Sequence, residues 1–70
     1  MQDAVMITLN GEPRALETPI SVARLLASLG LDTRKVAVER NEEIVPRSSY
    51  ADTLIVTGDA LEIVHFIGGG

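Results

Sequence analysis

Thr18-Pro19-Ile20-Ser21-Val22-Ala23-Arg24-Leu25-Leu26-Ala27-Ser28-Leu29-Gly30 is the stretch that decides the fold. Val22, Leu25, Leu26 and Leu29 recur at i, i+3, i+4 and i+7, which is one apolar stripe along a helix. Arg24 and Ser28 fall on the opposite face. Ser21 is a good N-cap, because its hydroxyl can accept a hydrogen bond from an orphan backbone N–H. Gly30 stands where a left-handed C-cap is wanted. A single amphipathic helix of this kind can cover one face of a sheet and leave the other face to solvent or a partner.

Outward from the helix the apolar period changes from 3.6 to 2. Upstream, Val5, Ile7 and Leu9 alternate with Met6 and Thr8, the pattern of a half-buried strand. Asn10-Gly11 is a hairpin signal, since both residues tolerate positive φ. Pro13 limits the second strand to about Arg14–Thr18, antiparallel to the first, with Ala15 and Glu17 on one face and Leu16 on the other. Downstream, Leu31 to Arg34 is a connection. Lys35 to Arg40 reads as a strand with Val36 and Val38 inward. Asn41-Glu42 turns the chain into a short edge strand, Glu43-Ile44-Val45, which Pro46 ends. Residues 47–52 form a polar loop with one helical turn, and Thr57-Gly58-Asp59 is a tight turn into the last strand, Leu61 to Ile67.

This order predicts an α+β chain: a β-grasp with a mixed sheet of four to five strands and one main helix packed on one face. The last strand lies parallel to the first at the sheet centre. Ile7, Leu9, Leu25, Leu26, Leu29, Val36, Val38, Leu61 and Ile63 are the expected core. Residues 1–67 make the domain and residues 68–70 a flexible glycine tail.

Composition narrows the chemistry. Seventy residues make one domain that buries only roughly 60% of its unfolded surface. The absence of cysteine excludes disulfides, thiolate metal sites and thiol nucleophiles, and a single histidine excludes a histidine metal cluster. Six basic and ten acidic residues give 6 − 10 = −4, a poor balance for binding phosphate backbones and a better one for a basic protein partner. No apolar run approaches the ~18 residues of a membrane span. Met1-Gln2-Asp3 begins no signal peptide, so the expected compartment is the cytoplasm.

No catalytic constellation is visible. Ser21, Ser28, Ser48 and Ser49 have one histidine among them, His65, which reads as a strand residue. Glu42 and Glu43 point apart if they lie in a strand. Gly68-Gly69-Gly70 is no phosphate loop, because no helix follows to supply a dipole.

The end of the chain, Phe66-Ile67-Gly68-Gly69-Gly70, leaves two readings open. One is a frayed terminus. The other is a tail thin enough to thread a narrow channel and present the Gly70 carboxylate to another protein's reactive atoms, with Gly68 and Gly69 in the channel. Glycine packs nothing and is costly to order, so the run does not serve the core. If Leu61 and Ile63 face the helix, Val64 and Phe66 lie on the open face beside the tail. They and Ile67 are then candidates for a partner interface, unless loop 47–52 folds over them. A carboxylate becomes reactive once adenylation turns its oxygen into a leaving group.

Val36-Ala37-Val38-Glu39-Arg40-Asn41-Glu42-Glu43-Ile44-Val45-Pro46-Arg47 resembles the sulfur carrier family ThiS of thiamine biosynthesis. The shared elements are an asparagine turn (Asn41), a Val-Pro-Arg element (Val45-Pro46-Arg47), an aromatic shortly after (Tyr50), a Gly-Asp turn (Gly58-Asp59), an apolar strand and a terminal Gly-Gly. The resemblance spans the chain in length and element order and is specific from Val36 onward. Tyr50 stands where tryptophan is common, and Thr57 where an acidic residue is frequent.

The resemblance makes the expected β-grasp a ubiquitin-like one and implies a non-enzymatic protein co-substrate that carries sulfur as a thiocarboxylate on Gly70. A ThiF-like adenylyltransferase would activate that residue with ATP and magnesium, neither bound by this chain. Sulfur would come from a cysteine desulfurase or persulfide protein and pass to the thiazole synthase ThiG. Two alternatives are a MoaD-like carrier for molybdopterin synthesis and a ubiquitin-like binding module with a merely disordered tail.

Overall fold

Asn10 and Gly11 reverse the chain with φ of 50° and 85°, the left-handed conformation that a two-residue hairpin turn requires. They join strand β1, Ala4–Leu9, to strand β2, Glu12–Glu17. These bounds come from a computed structural model that describes residues 4–66. Helix α1 (Val22–Ser28) follows, then a 3-10 turn (Thr33–Lys35), β3 (Val36–Arg40), β4 (Glu43–Val45), a second 3-10 turn (Arg47–Ser49) and β5 (Ala60–His65).

The second strand is two residues earlier than expected and contains Pro13. Leu9 and Glu12 flank the turn, and Thr8 lies opposite Pro13. In an antiparallel ladder the pair next to the closing one exchanges no hydrogen bonds, so the missing proline N–H removes nothing from the sheet. β2 is also an edge strand, where proline is tolerated.

The sheet has five strands in the order β2-β1-β5-β3-β4. β5 is central, parallel to β1 and antiparallel to β3. With one helix on one face, this is the expected β-grasp.

The helix is short, and its ends are held from outside. Ser21 Oγ accepts from Arg24 N at 3.1 Å. The N–H groups of Val22 and Ala23, orphaned by their position in the first turn, donate to the carbonyls of Thr53 and Tyr50, both at 2.9 Å. Gly30, at φ 74°, closes the other end. Its N–H donates to Ala27 O and that of Leu31 to Leu26 O, which is the Schellman arrangement.

Six of the expected core residues are buried: Ile7, Leu25, Leu26, Val36, Val38 and Leu61. Leu9, Leu29 and Ile63 pack against them half-buried. Val5, Val22, Val45, Tyr50 and Ile55 complete the core. Tyr50 and Ile55 come from the segment after β4, whose backbone supplies the helix's hydrogen bonds and is thereby drawn under it. Among the described residues no helix is long and apolar enough to cross a membrane.

Candidate functional site

β5 carries the chain from the sheet centre to the tail. Alternation places Leu61 toward the helix and Val64 on the open face, where it lies opposite Ala37 of β3. Val64 is 60% and Phe66 56% exposed. Phe66 N donates to Lys35 O at 2.9 Å, which carries the pairing with β3 one residue past the strand. Loop 47–52 does not cover these side chains. It packs on the helix side instead, where Tyr50 is buried and its hydroxyl donates to Val36 O at 3.4 Å. Ile67, Gly68, Gly69 and Gly70 lie outside the described residues, as does the expected tail boundary at 68.

Two asparagines, the only ones in the sequence, hold β5 from opposite flanks. Asn41 follows β3. Its N–H donates to Ala60 O at 2.8 Å, and its Oδ1 accepts from Ala60 N at 2.9 Å. Asn10 follows β1. Its N–H donates to Leu61 O at 2.8 Å, its Oδ1 accepts from Ile63 N at 2.8 Å, and its Nδ2 donates to Ile63 O at 3.4 Å. Each side chain does for β5 what another strand residue would do.

The start of β5 is further fixed by a buried carboxylate. Asp59 is 4% exposed. Its Oδ2 accepts from Arg40 Nε at 2.8 Å and from Val56 N at 3.0 Å, and its Oδ1 from Asn41 Nδ2 at 3.1 Å. Burial pushes the carboxyl pKa up, but the hydrogen bonds from Arg40, Val56 and Asn41 outweigh it and hold the group below its ordinary value. Asp32 is paired with Arg34 on the surface at 3.0 Å, and those hydrogen bonds lower its pKa to about 2.

No catalytic geometry accompanies this arrangement among the described residues. Glu42 and Glu43 are exposed, and no set of histidine or carboxylate side chains could hold a metal ion. His65 is the last residue of β5, opposite Val36. What the fold presents is a central strand held firmly at its start, with exposed apolar side chains where the tail leaves.

Reading the residues alone placed Asn10, Asn41 and Asp59 in turns and missed their grip on β5. The Asn10–Ile63 contact spans 53 residues, so no local pattern announces it.

The model of the ThiS family matches residues 7–70, through the last glycine. The chain is 39% identical over 66 residues to the sulfur carrier protein ThiS of Bacillus subtilis, covering 93% of this chain and 100% of that one. It is 58% identical over 64 residues to a thiazole synthase of Paramagnetospirillum magneticum, covering 91% of this chain and 20% of that protein. It therefore spans a fifth of that relative's length. Among solved structures, a thiamine biosynthesis protein ThiS from Geobacter metallireducens superposes with a TM-score of 0.80 at 33% identity, over 94% of this chain and 100% of that one.

Proposed function

The chain belongs to the ThiS family, and on that premise we propose that it carries sulfur for thiamine biosynthesis on the carboxylate of Gly70. The observation that carries this reading is that the family match runs through Gly68-Gly69-Gly70, which follow the central strand in sequence after Phe66 and Ile67. The chain is a protein co-substrate rather than an enzyme, and it works in the cytoplasm.

The chemistry follows from the carboxylate. An oxygen of Gly70 attacks the α-phosphorus of ATP in a ThiF-like adenylyltransferase, which supplies the magnesium site, and pyrophosphate leaves. A persulfide sulfur from a cysteine desulfurase or related donor then attacks the acyl carbon and expels AMP with that oxygen. A second thiol attacks the donor sulfur, forming a disulfide and releasing the thiocarboxylate. Thiazole synthase takes the sulfur. The name of the Paramagnetospirillum relative, a fifth of which this chain matches, supports that partner.

Gly68 and Gly69 keep the tail narrow. Val64, Phe66 and Ile67 dock the body on the partner, so that the tail enters the channel while the sheet face seats against its rim. Exposed apolar side chains beside the tail support this assignment.

Deleting Gly70 tests the reading. Gly69 would then present a similar carboxylate, short by up to roughly 3.3–3.6 Å of extended chain. Misplacement by ~1 Å can cost ~10²-fold in rate, so the deletion should abolish adenylation while the fold persists. The measurement is intact mass after incubation with a ThiF-type enzyme, ATP and a sulfur donor. Wild-type chain should exchange one oxygen for sulfur in its C-terminal peptide. Normal adenylation of the deletion variant would sink the proposal.

A further inference from the structure

β1 pairs with β5 only at Thr8↔Ala60 and Leu9↔Leu61. Past that point β1 has turned away at Asn10 and Gly11, while β3 continues alongside β5 to Val36↔His65. The tail-side half of β5 would thus be paired on one flank only. The Asn10 side chain prevents this, since its amide accepts from Ile63 N and donates to Ile63 O, the two bonds that a continued β1 would have made. A turn therefore stands in for a strand, at the last place where the β1 side of the sheet grips β5, while β3 holds the other flank to Phe66.

We propose that Asn10 is a positioning residue for the tail: by holding Ile63 it fixes the direction in which the chain leaves the sheet. Ile63 is seven residues from Gly70, a reach of up to roughly 23–25 Å at full extension. Over such a reach a swing of about 5° at Ile63 carries the far end through about 2 Å, comparable with misplacements that cost orders of magnitude in rate. The Asn10 side chain bonds the backbone of Ile63 and makes no hydrogen bond to Val64 or Phe66. Its loss should lower kcat for adenylation and leave KM for the carrier unchanged.

The kinetic readout rests on the sulfur-carrier reading above. The variants are Asn10→Gly and Asn10→Asp. Glycine suits positive φ, so the turn survives while the amide is lost. Aspartate keeps the acceptor for Ile63 N and loses the donor, and it decides the matter should the glycine variant fail to fold. Full-length chains are assayed with a ThiF-type enzyme, ATP and magnesium, and amide exchange is followed at Ile63. Asn10→Gly should lower kcat about tenfold or more at unchanged KM and speed Ile63 exchange at least about fivefold. Asn10→Asp should fall between. Val5→Ala, a buried change in β1 that destabilises without touching the clamp, should leave kcat unchanged.

A folded Asn10→Gly chain with normal kcat overturns the proposal, and so does unchanged Ile63 exchange. Equal loss of kcat in Val5→Ala would assign the effect to general stability and overturn it too. A wild-type chain that is not adenylated at all sinks the sulfur-carrier reading instead. The exchange measurement still decides then whether Asn10 holds Ile63.

Discussion

Asn41-Glu42 and Asn10-Gly11 are the same kind of turn in different company. Both residues of each turn have positive φ, and in each the asparagine side chain grips β5. At the upstream end the Asn41 amide belongs to a network with Arg40 and the buried Asp59, whose two carboxylate oxygens are both satisfied. At the tail end the Asn10 amide acts alone on Ile63, and Val64 and Phe66, which follow it in the chain, are exposed. One end uses its polar groups to fix the fold. The other carries Val64 and Phe66 uncovered beside the tail, apolar surface of the kind a partner covers; Ile44, Leu54 and Val56 are exposed elsewhere. On the function proposed above, stability and partner docking are divided between the two ends of one strand.

The division breaks most visibly at Asp59. Asp59→Ala removes the acceptor for Arg40, Asn41 and Val56, and loss of one partner of a buried ion pair typically costs about 3–5 kcal/mol. Because Arg40 is half-exposed, about 3 kcal/mol is expected in urea titration, with kcat for adenylation retained at low temperature. The same group sets an acid limit. Its pKa is depressed in the folded state, so the unfolded chain binds its proton more readily. Its contribution is therefore complete above the unfolded value of about 3.9 and is lost as pH falls through the lower folded value. Asp59→Asn should flatten the acid limb of the stability profile. A variant as stable as wild type, with an unchanged acid limb, would mean that the upstream network is ornamental.

Phe66→Ala probes the other end, where the expected effect is in binding. Anchors of this kind contribute about 2 kcal/mol or more at an interface, near a thirtyfold change in Kd. Titration calorimetry against a ThiF-type enzyme should show that loss, with the urea midpoint shifted by less than about 0.5 kcal/mol, as for a surface site. The reverse pattern, a large stability loss with unchanged affinity, would place Phe66 in the fold.

How much of this the sequence revealed depends on how local each signal is. The helix was legible because Ser21, the 22-25-26-29 stripe and Gly30 lie within one short stretch. Both asparagine turns were legible as turns because positive φ has a short vocabulary. Pro13 misled, because whether it interrupts a strand depends on which pair of the ladder it occupies, and that is set by the partner strand. Tyr50 and Ile55 were not recognised as core because they sit in an aperiodic segment, drawn inward by the helix's own unpaired N–H groups. The open face at Val64 and Phe66 followed from alternation, but its exposure depended on where loop 47–52 packs. The clamps on β5 join residues 19 to 53 positions apart, and pattern reading does not reach that far.

The smallest expected effect isolates the turns themselves. Glu42 holds φ 70° where the equivalent position in the first turn is Gly11 at φ 85°. A side-chain residue in left-handed backbone costs roughly 1–2 kcal/mol, while glycine gives back roughly 0.5–1 kcal/mol through the greater freedom of the unfolded chain. Glu42→Gly should therefore stabilise by about 0.5–1 kcal/mol in urea titration. Gly11→Ala should do the opposite, and for a backbone reason alone, because a Cβ there would meet no atom within 4 Å. Equal and opposite shifts would show that the turns are interchangeable and that the difference between the ends lies in what their asparagines join. If Glu42→Gly destabilised instead, the Glu42 side chain would have to contribute something to the upstream end beyond occupying a turn.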